Sequence, residues 1–520
     1  MSRQRACVLL RSCAVPRLVS FSRVLPMNVR AGLAEGQVLQ RLGKRRGACA
    51  QIVGTIEGGG RGEGQERRER REVCVTLRNV SGVVRGWERR RVGCATGSEF
   101  TARLQGIPAG GPWSLILECI QNKKTIARGM VREFFVGDVW LLAGQSNMEG
   151  GGLLAASVAR PHPFIRAFSL ARVWRQAADP LHVPWESQEA ALNDGKPFTR
   201  EQAEDYRRTS RVGAGVGLHF GREMLLRSGV PQGLICAARG ATRMEQWLPA
   251  RGRDGGAGLY GAMLRSVRAT GQPVAGVLWH QGEGDSPRER AALYSQRMRK
   301  LIAAVRRDLG LPRLPWIFAQ LARVYGERPD CAWNSVQEQQ RALADRIHDV
   351  ALVATVDLSL DDFIHLSAEA HPRFGARLAR AADWLVYQNR KEQPPPLLRS
   401  VSALRMDEAM GAGRIDVVFD NVPGGLRAAG EARGFVLLGV DARGAGGAEG
   451  GTERVLPAIY RVTLAGNVAR VYLLPEYVRA ASKGAVYLLG YGYGNVPDCN
   501  ITDGRDCALP VFGARRVRVG

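Results

Sequence analysis

The chain has 520 residues, of which 45% are hydrophobic and 24% charged, a balance typical of a globular protein long enough for more than one domain. Its formal charge of +25 raises the question of nucleic-acid binding, but only 7 of the 74 basic residues are lysine and the arginines are scattered. No helix-turn-helix, RNP or zinc-finger spacing accompanies them, and no window holds 18 uncharged apolar residues. We therefore expect no nucleic-acid partner and no membrane span.

The N-terminal residues form a distinct basic stretch. The first 34 residues contain several arginines and no acid, so we expect residues 1–36 to be a basic leader or disordered. They could be a transit-type leader, or a translated stretch ahead of a later start such as Met27. Arg11 interrupts the longest apolar run, so no convincing signal peptide is present and the localisation stays unknown.

Residues 37–134 are predicted to form a β-sandwich-like domain. Short alternating runs such as VCVTLRNV (73–80), FTARLQGI (100–107) and WSLILECI (113–120) are separated by glycine and proline turns. Alternation of apolar and polar residues is the pattern of strands with one buried face.

Residues 135–395 alternate between strand and helix patterns. The predicted strands are 139–143, 233–238, 274–279, 316–322 and 350–358. The predicted helices are 216–228, 259–270, 288–308 and 334–347. Five such repeats indicate an α/β domain with a doubly wound, parallel, five-stranded sheet and helices on both faces.

A third domain is predicted after the proline-rich linker EQPPPLL (392–398). Runs such as IDVVFDNV and ARVYLLP indicate a C-terminal β domain over residues 396–520. Cys499 and Cys507 flank the loop NITDGRD there, and they could be a disulfide or two free thiols. The ten cysteines of the chain include no C-x-x-C pair, so neither a zinc site nor a redox dithiol is indicated.

The stretch LAGQSNMEG (142–150) follows the first predicted parallel strand and places Ser146 just beyond its end. Open α/β sheets bind their ligands at the carboxyl ends of the strands, so Ser146 is a candidate nucleophile. The alternative is an ordinary turn in which Ser146 or Asn147 caps the next helix. The G-x-S-x-G motif is absent, because Met148 stands at the second glycine.

A candidate base and acid stand together in DDFIHLSAEAHPRFGARLA (361–379). The spacing of Asp362 and His365 allows one loop to carry a base that accepts the proton of Ser146 and an acid that orients that base. Asp361 is the second choice for the acid. His371 is the rival for the base, although Pro372 places it at the start of a helix.

Candidate oxyanion donors follow two further strands. We expect the backbone N–H groups of Ser146 and Gly240 and the side-chain amide of Gln281 to stabilise an oxyanion. Glu283 is expected to support its loop through hydrogen bonds to backbone N–H groups. His280, Glu283 and Asp285 could instead be metal ligands, but no matching set of ligands stands elsewhere, so neither a metal nor another cofactor is expected.

GQSNMEG, the Gly240 turn, WHQGEGD and DFIH…LA together resemble the four ordered blocks of SGNH-type hydrolases. More narrowly, these blocks and SLARVWRQAADPLHVPW (169–185) are similar to the sialate O-acetylesterase-like group that includes family 6 carbohydrate esterases. VLQR (38–41) also resembles bacterial multidomain relatives with an N-terminal β domain. Departures occur at Ala241, where many relatives have a second glycine, and at Arg239 and Arg243, where relatives often have neutral residues.

The resemblance implies a flavodoxin-like three-layer fold and a cofactor-free serine esterase that removes O-acetyl groups from glycans, of the acetylxylan or sialate type. It implies Ser146 as nucleophile, Gly240 and Gln281 in the oxyanion hole, and Asp362 with His365 as the remaining pair. It also suggests an exported or periplasmic location. The alternatives are an inactive glycan-binding protein on an esterase fold and, as a weaker option, a lipase-like enzyme. The oligomeric state is not predicted.

Overall fold

The structure is a computed structural model, and it describes residues 24–43, 47–57, 70–195, 199–250, 255–326, 332–389, 391–440 and 453–520. Most of the predicted leader lies outside these ranges. Residues 24–36 do not, and they correct the expectation of a leader or disordered stretch. They contain a strand with Met27 buried in a hydrophobic core, because its apolar side chain alternates with polar neighbours.

The N-terminal part is a β barrel rather than the expected sandwich. Its described strands are β1 (Leu25–Ala31), β2 (Val38–Gln40), β3 (Ala48–Ile56), β4 (Arg71–Asn79), β5 (Gly82–Val83), β6 (Arg90–Thr96), β7 (Glu99–Ile107), β8 (Gly110–Gln121) and β9 (Lys124–Gly144). Neighbouring strands pair in the order β1-β3-β7-β6-β4-β8-β9, and β9 then pairs with β1, with Leu25 opposite Ala127. That last, parallel pairing closes the sheet on itself and removes its two edges.

Strand β9 belongs to two parts of the protein. Its first half alternates between buried and exposed residues in the barrel, and its second half is buried throughout. Continuous burial is typical of a parallel strand covered on both faces. Gly137 allows β9 to continue from the barrel into the sheet, because a Cβ atom at this position would lie only 1.8 Å from the carbonyl oxygen of Pro231. The predicted boundary at 134/135 falls inside this strand.

The α/β part follows from β9. Its further described strands are β10 (Gly152–Leu153), β11 (Ile165–Phe168), β12 (Trp174–Gln176), β13 (Val212–Ala214), β14 (Gln232–Cys236), β15 (Gly276–His280), β16 (Trp316–Ala319) and β17 (Val350–Val353). Its described helices are α1 (Ser146–Glu149), α2 (Arg200–Thr209), α3 (Val216–Ser228), α4 (Leu259–Ala269), α5 (Arg288–Ala291), α6 (Tyr294–Asp308), α7 (Trp333–Ala344) and α8 (His371–Tyr387).

The central sheet has one more parallel strand than expected. Within the described ranges, the parallel strands lie in the order β11-β14-β9-β15-β16-β17, and β12 adds an antiparallel edge on β11. The additional strand β11 carries Arg166 in its centre, so the sequence lacks the apolar run of its neighbours. Arg166 is nevertheless buried, and its side chain donates to the carbonyl oxygen of Gly36.

Helices cover both faces of this sheet. On one face, Trp140 contacts Phe220 of α3, His280 contacts Phe374 of α8, and α3 packs on α8. On the other, Trp279 contacts Trp247 in a turn that packs against α4 and α6. The predicted helix over 288–308 is divided into α5 and α6. No helix among the described residues combines the length and the apolarity that a membrane crossing requires.

The C-terminal part is a β domain with its own core. Its described elements are β18 (Leu397–Val401), β19 (Arg405–Asp407), β20 (Ala412–Asp420), β21 (Leu426–Ala428), β22 (Phe435–Val440), β23 (Glu453–Leu456), β24 (Ile459–Ala465), β25 (Val468–Leu473), α9 (Pro475–Ser482), β26 (Tyr487–Tyr491), β27 (Ile501–Asp503) and β28 (Phe512–Arg516). The sheets β18-β20-β25-β24 and β23-β22-β26-β28 contribute to one hydrophobic core. Cys499 and Cys507 are separate free thiols.

Polar contacts fix the C-terminal domain to the α/β part. Gln320 and Val511 exchange two hydrogen bonds, and the buried Arg377 pairs with Asp357 and Asp506. Because Gln320 and Arg377 are buried and their polar groups are hydrogen-bonded, these contacts hold the two domains in a defined arrangement.

Candidate active site

Parallel strands bring the sequence-predicted residues to one edge of the sheet. Ser146 begins α1 directly after β9, Gly240 follows β14, and Gln281 follows β15. Asp362 and His365 lie on the loop between β17 and α8. The carboxyl ends of parallel strands share an edge, so residues that are distant in the sequence meet there.

Ser146, His365 and Asp362 form a continuous series of hydrogen bonds. The Oγ of Ser146 lies 2.9 Å from Nε2 of His365, and Nδ1 of His365 lies 2.7 Å from Oδ2 of Asp362. The other carboxylate oxygen of Asp362 accepts the N–H groups of Ile364 at 2.8 Å and His365 at 2.7 Å. A serine hydroxyl, an imidazole and an orienting carboxylate in this order can generate a nucleophile.

The ionisation of Asp362 suits its place in this series. Burial by itself would raise the pKa of Asp362, but the N–H of Ile364, the ring of His365 and the N–H of His365 outweigh burial and lower it. The carboxyl group therefore stays ionised at neutral pH, and an ionised carboxylate accepts the Nδ1 proton of the imidazole.

The two rival residues have other contacts. Asp361 accepts the N–H groups of Leu153 at 2.7 Å and Ala368 at 3.0 Å, and so braces the loop. His371 is the first residue of α8, is buried, and lies beside His219. Burial, followed by the charge of His219, lowers the pKa of His371 to about 3. Ser146 is hydrogen-bonded to His365 and not to His371.

Asn147 connects the serine turn to the two other loops, a role that the sequence analysis missed. Its amide nitrogen donates to Oε1 of Glu283 at 2.7 Å, and its Oδ1 accepts the N–H of Leu366 at 2.8 Å. Glu283 therefore has a side-chain amide as a partner, in addition to a hydrogen bond from its own backbone N–H. Burial raises the pKa of Glu283, which the Asn147 amide partly offsets. The sequence feature that could have indicated this role is the position of Asn147 directly after Ser146.

Two of the three expected oxyanion donors, Gly240 and Gln281, have acceptors within the protein. The N–H of Gly240 donates to a carboxylate oxygen of Glu149. Burial raises the pKa of Glu149, although Arg239 and the N–H of Gly240 act in the opposite direction. A carboxylate oxygen thus sits on the N–H that we expected to face a reacting oxyanion.

Gln281 departs further from the expected oxyanion role. It is fully buried, and its amide nitrogen donates to Oδ2 of Asp285 at 2.7 Å and to the carbonyl oxygen of Thr242 at 3.3 Å. The physical reason is that Asp285 is also fully buried and needs donors. Gln281 therefore braces the loops beneath the site, and its amide is not directed toward Ser146.

The arginines at the Gly240 turn are paired. Arg239 donates to Asp194, and its Nη1 lies 3.7 Å from Oε1 of Glu149. Arg243 lies 3.5 Å from Glu245 and is half-exposed. Ala241 adopts a φ of 56°, the left-handed conformation that a glycine adopts with less strain.

The residues after β15 do not assemble a metal site. His280 is fully buried, and burial, followed by the charges of His371 and His365, lowers its pKa to about 3. The described ranges contain no cluster of three or more histidine, cysteine, aspartate or glutamate residues suited to a metal ion.

Comparison with known proteins places the chain in the class of carboxylic ester hydrolases. Residues 136–383 match the family model for "Carbohydrate esterase, sialic acid-specific acetylesterase". Over those residues the α/β part of the chain is similar to that family.

Individual proteins are also similar to this chain. A probable carbohydrate esterase of Arabidopsis thaliana is 29% identical over 266 residues, which cover 47% of this chain and 89% of the plant protein. The human sialate O-acetylesterase is 25% identical over 204 residues, which cover 35% of this chain and 38% of the human protein. The crystal structure of a carbohydrate acetylesterase from Xanthomonas citri aligns with a TM-score of 0.62 and 22% identity over 94% of this chain and 99% of that one. It shares the three-part fold.

Proposed function

We propose that this protein is a serine esterase that removes O-acetyl groups from carbohydrates, on an SGNH-type fold of the family 6 carbohydrate esterase kind. The observation that carries the proposal is the series Ser146–His365–Asp362, with 2.9 Å between Oγ and Nε2 and 2.7 Å between Nδ1 and Oδ2. The first contact is short enough for proton transfer between the serine and the imidazole, and the second is short enough for the carboxylate to orient the ring.

In the first half-reaction, Oγ of Ser146 attacks the acetyl carbonyl carbon while Nε2 of His365 accepts the hydroxyl proton. The tetrahedral intermediate then expels the sugar oxygen, which takes that proton from His365. The products are the deacetylated sugar and an acetyl ester on Ser146. Asp362 holds the ring in the required tautomer and stabilises its charged form.

In the second half-reaction, water replaces the sugar. His365 accepts a proton from the water molecule as it attacks the acetyl-enzyme carbonyl, and it returns that proton to Oγ when the intermediate collapses. Acetate leaves and the free serine is restored. The cycle needs no cofactor, since protons and one acetyl group are the only groups transferred.

The charge on the tetrahedral intermediate needs donors. The N–H groups of Ser146 and Gly240 remain our candidates, and Gly240 can serve only when the Glu149 carboxylate releases it. Gln281 contributes indirectly, through the bonds that hold the neighbouring loops.

The relatives support a carbohydrate ester as the substrate class. Those found are described as a carbohydrate esterase and a sialate O-acetylesterase. The proposed substrates therefore include both an acetylated plant polysaccharide and an O-acetylated sialic acid.

The test is acetate release from acetylated xylan, O-acetylated sialic acid and p-nitrophenyl acetate by the wild type and by Ser146→Ala. We expect the substitution to lower kcat at least about a thousandfold, since the serine is the acyl acceptor. Ser81→Ala, in an exposed turn of the barrel, is the matched control and should retain wild-type rates.

A fluorophosphonate probe separates the remaining outcomes. Labelling at Ser146 without release from the glycans would indicate an active serine with a different ester substrate. A wild type that neither labels nor releases acetate would contradict the proposal and favour the glycan-binding alternative.

A further inference from the structure

Exposed apolar side chains lie beside the Ser146–His365–Asp362 series. Phe363 is 54% exposed and stands two residues before His365, and Tyr325 is 45% exposed. The N–H of Tyr325 donates to the carbonyl oxygen of Phe363 at 2.8 Å, so the two residues are neighbours although they come from different loops.

Two further exposed apolar residues lie on loops that are hydrogen-bonded to the loops of Phe363 and Tyr325. On one side, the N–H of Leu153 donates to Asp361, and Leu153 is 40% exposed. On the other, the N–H of Val324 donates to the carbonyl oxygen of Asn495 at 2.8 Å, and the next residue, Val496, is 47% exposed. We call Leu153, Phe363, Tyr325 and Val496 the apolar rim.

The backbone beneath the rim is fixed. The loop of Phe363 is tied by hydrogen bonds to Asp362 on one side and by the Asn147 amide, which donates to the carbonyl oxygen of Ile364 at 3.3 Å, on the other. The segment before Val496 is held by Asn334 of α7, which bonds Gly492 at 3.0 Å and Gly494 at 2.7 Å. Exposed apolar groups on a rigid backbone are typical of binding surfaces, because little ordering is lost when a ligand is bound.

The position of the apolar rim near Ser146 indicates which ligand it binds. A group that lies on Phe363 is near Ser146, because Phe363 and His365 share one short loop and His365 is hydrogen-bonded to Ser146. The C–H face of a pyranose is apolar and flat enough to pack on an aromatic ring, while its hydroxyls stay in water. Phe363 and Tyr325, which are exposed on hydrogen-bonded backbone segments, offer two aromatic surfaces for sugar units next to the one that carries the acetyl group.

We propose that the apolar rim is a glycan subsite, in which the sugar chain packs on Phe363 and Tyr325 and reaches Val496 of the C-terminal domain while the O-acetyl group lies at Ser146. This inference rests on the proposed esterase function. It gives the C-terminal domain a part in choosing long carbohydrate substrates over small esters.

The test compares an acetylated xylo-oligosaccharide and an O-acetylated sialyl-oligosaccharide with p-nitrophenyl acetate and p-nitrophenyl octanoate. For Phe363→Ala and Tyr325→Ala, we expect the ratio of kcat/KM on the hydrolysed oligosaccharide to kcat/KM on p-nitrophenyl acetate to fall about tenfold. Val496→Ser should lower the same ratio about threefold, and Phe363→Trp should preserve it. Tyr460→Ala, equally exposed at 48% but on β24, is the control that should leave all rates unchanged.

Several outcomes would overturn the inference. Equal losses on the oligosaccharide and on p-nitrophenyl acetate would mean that Phe363 only supports its loop. An unchanged ratio, or a wild type that hydrolyses the small acetate ester but neither oligosaccharide, would exclude a glycan subsite. A selective loss on the octanoate would assign the rim to acyl chains. Absence of Ser146-dependent hydrolysis of every ester would instead contradict the esterase function itself.

Discussion

Gly151 lies directly against the imidazole of His365, so a Cβ atom at position 151 would come within 2.7 Å of Cγ of that ring. Real Cβ atoms do not approach so closely, and the ring would have to move. Because the ring bridges Ser146 and Asp362, its displacement would lengthen both hydrogen bonds.

Gly151→Ala is therefore expected to lower kcat about 10- to 100-fold while the protein stays folded. Steady-state kinetics on p-nitrophenyl acetate and a thermal melt measure the two quantities. Gly490→Ala is the matched control, because a Cβ atom there meets nothing closer than 3.5 Å. An unchanged kcat in Gly151→Ala would show that the ring position is not critical.

Asp361 and Asp362 provide a neighbouring pair for testing the orienting acid. Asp362→Asn should lower kcat about 100- to 10,000-fold, because an amide cannot stabilise the charged imidazole. Asp361→Asn keeps an oxygen for the N–H groups of Leu153 and Ala368, so its kcat should fall less than about tenfold. Equal losses would remove the distinction between the two acids.

The hydrogen bond between Asp362 and His365 should depend on pH in a way that follows from the lowered pKa of Asp362. A carboxyl group whose pKa is lower in the folded protein contributes stability above its unfolded value and loses it as the pH falls through the folded value. The bond from Asp362 to His365 should therefore survive at pH values below the ordinary titration range of aspartate. NMR of the Nδ1 proton during acid titration would follow it, and loss of the signal above pH 5 would contradict the expectation.

In the proposed mechanism, Glu149 would compete with the reacting oxyanion for the N–H of Gly240, to which it is hydrogen-bonded. Glu149→Gln keeps the side-chain shape and replaces a charged acceptor with a neutral one, which binds an N–H about half as strongly. We expect kcat on p-nitrophenyl acetate to rise severalfold. Glu245→Gln, at an exposed carboxylate near the same turn, is the control. A lower kcat in Glu149→Gln would mean that Glu149 positions the turn instead.

Asp179 should make stability depend on pH. Burial, partly offset by the N–H of Gly215, raises its pKa from 3.8 to about 7. The folded state then holds the proton more tightly than the unfolded state, so stability falls as the pH rises from about 4 to about 7, by at most about 4 kcal/mol.

Asp179→Asn removes this ionisation. Urea unfolding at pH 5 and pH 8 should show the variant gaining stability relative to the wild type at the higher pH. Asp205→Asn, on the exposed surface of α2, should show no comparable change. Parallel pH profiles for Asp179→Asn and the wild type would contradict the assignment.

Local patterns in the sequence were sufficient for much of the α/β part. The helix over 216–228 was placed correctly because its apolar spacing and the following Gly229 are local signals. The contact between His365 and Ser146, across 219 positions, was also predictable in outline, since parallel strands bring their carboxyl ends together.

The remaining features depend on non-local pairing or on side-chain conformation. The barrel closes through Leu25 and Ala127, a contact that no local alternation specifies. The strand around Arg166 was not predicted, because arginine is usually exposed and its buried position here cannot be recognised from the sequence. The bond from Gly240 to Glu149 depends on one side-chain rotamer, which sequence spacing does not determine.

Strand β9 has a consequence for how this protein can be divided. The one strand pairs in the barrel, where Leu25 lies opposite Ala127, and in the sheet, where Leu142 lies opposite Cys236 and Leu278. A shortened chain that begins at residue 135 would keep the half of β9 that leads to Ser146 and lose the half that is paired within the barrel. The barrel thus supports the strand that leads to Ser146, and we expect a fragment that begins before Leu25 to keep both halves of that strand paired.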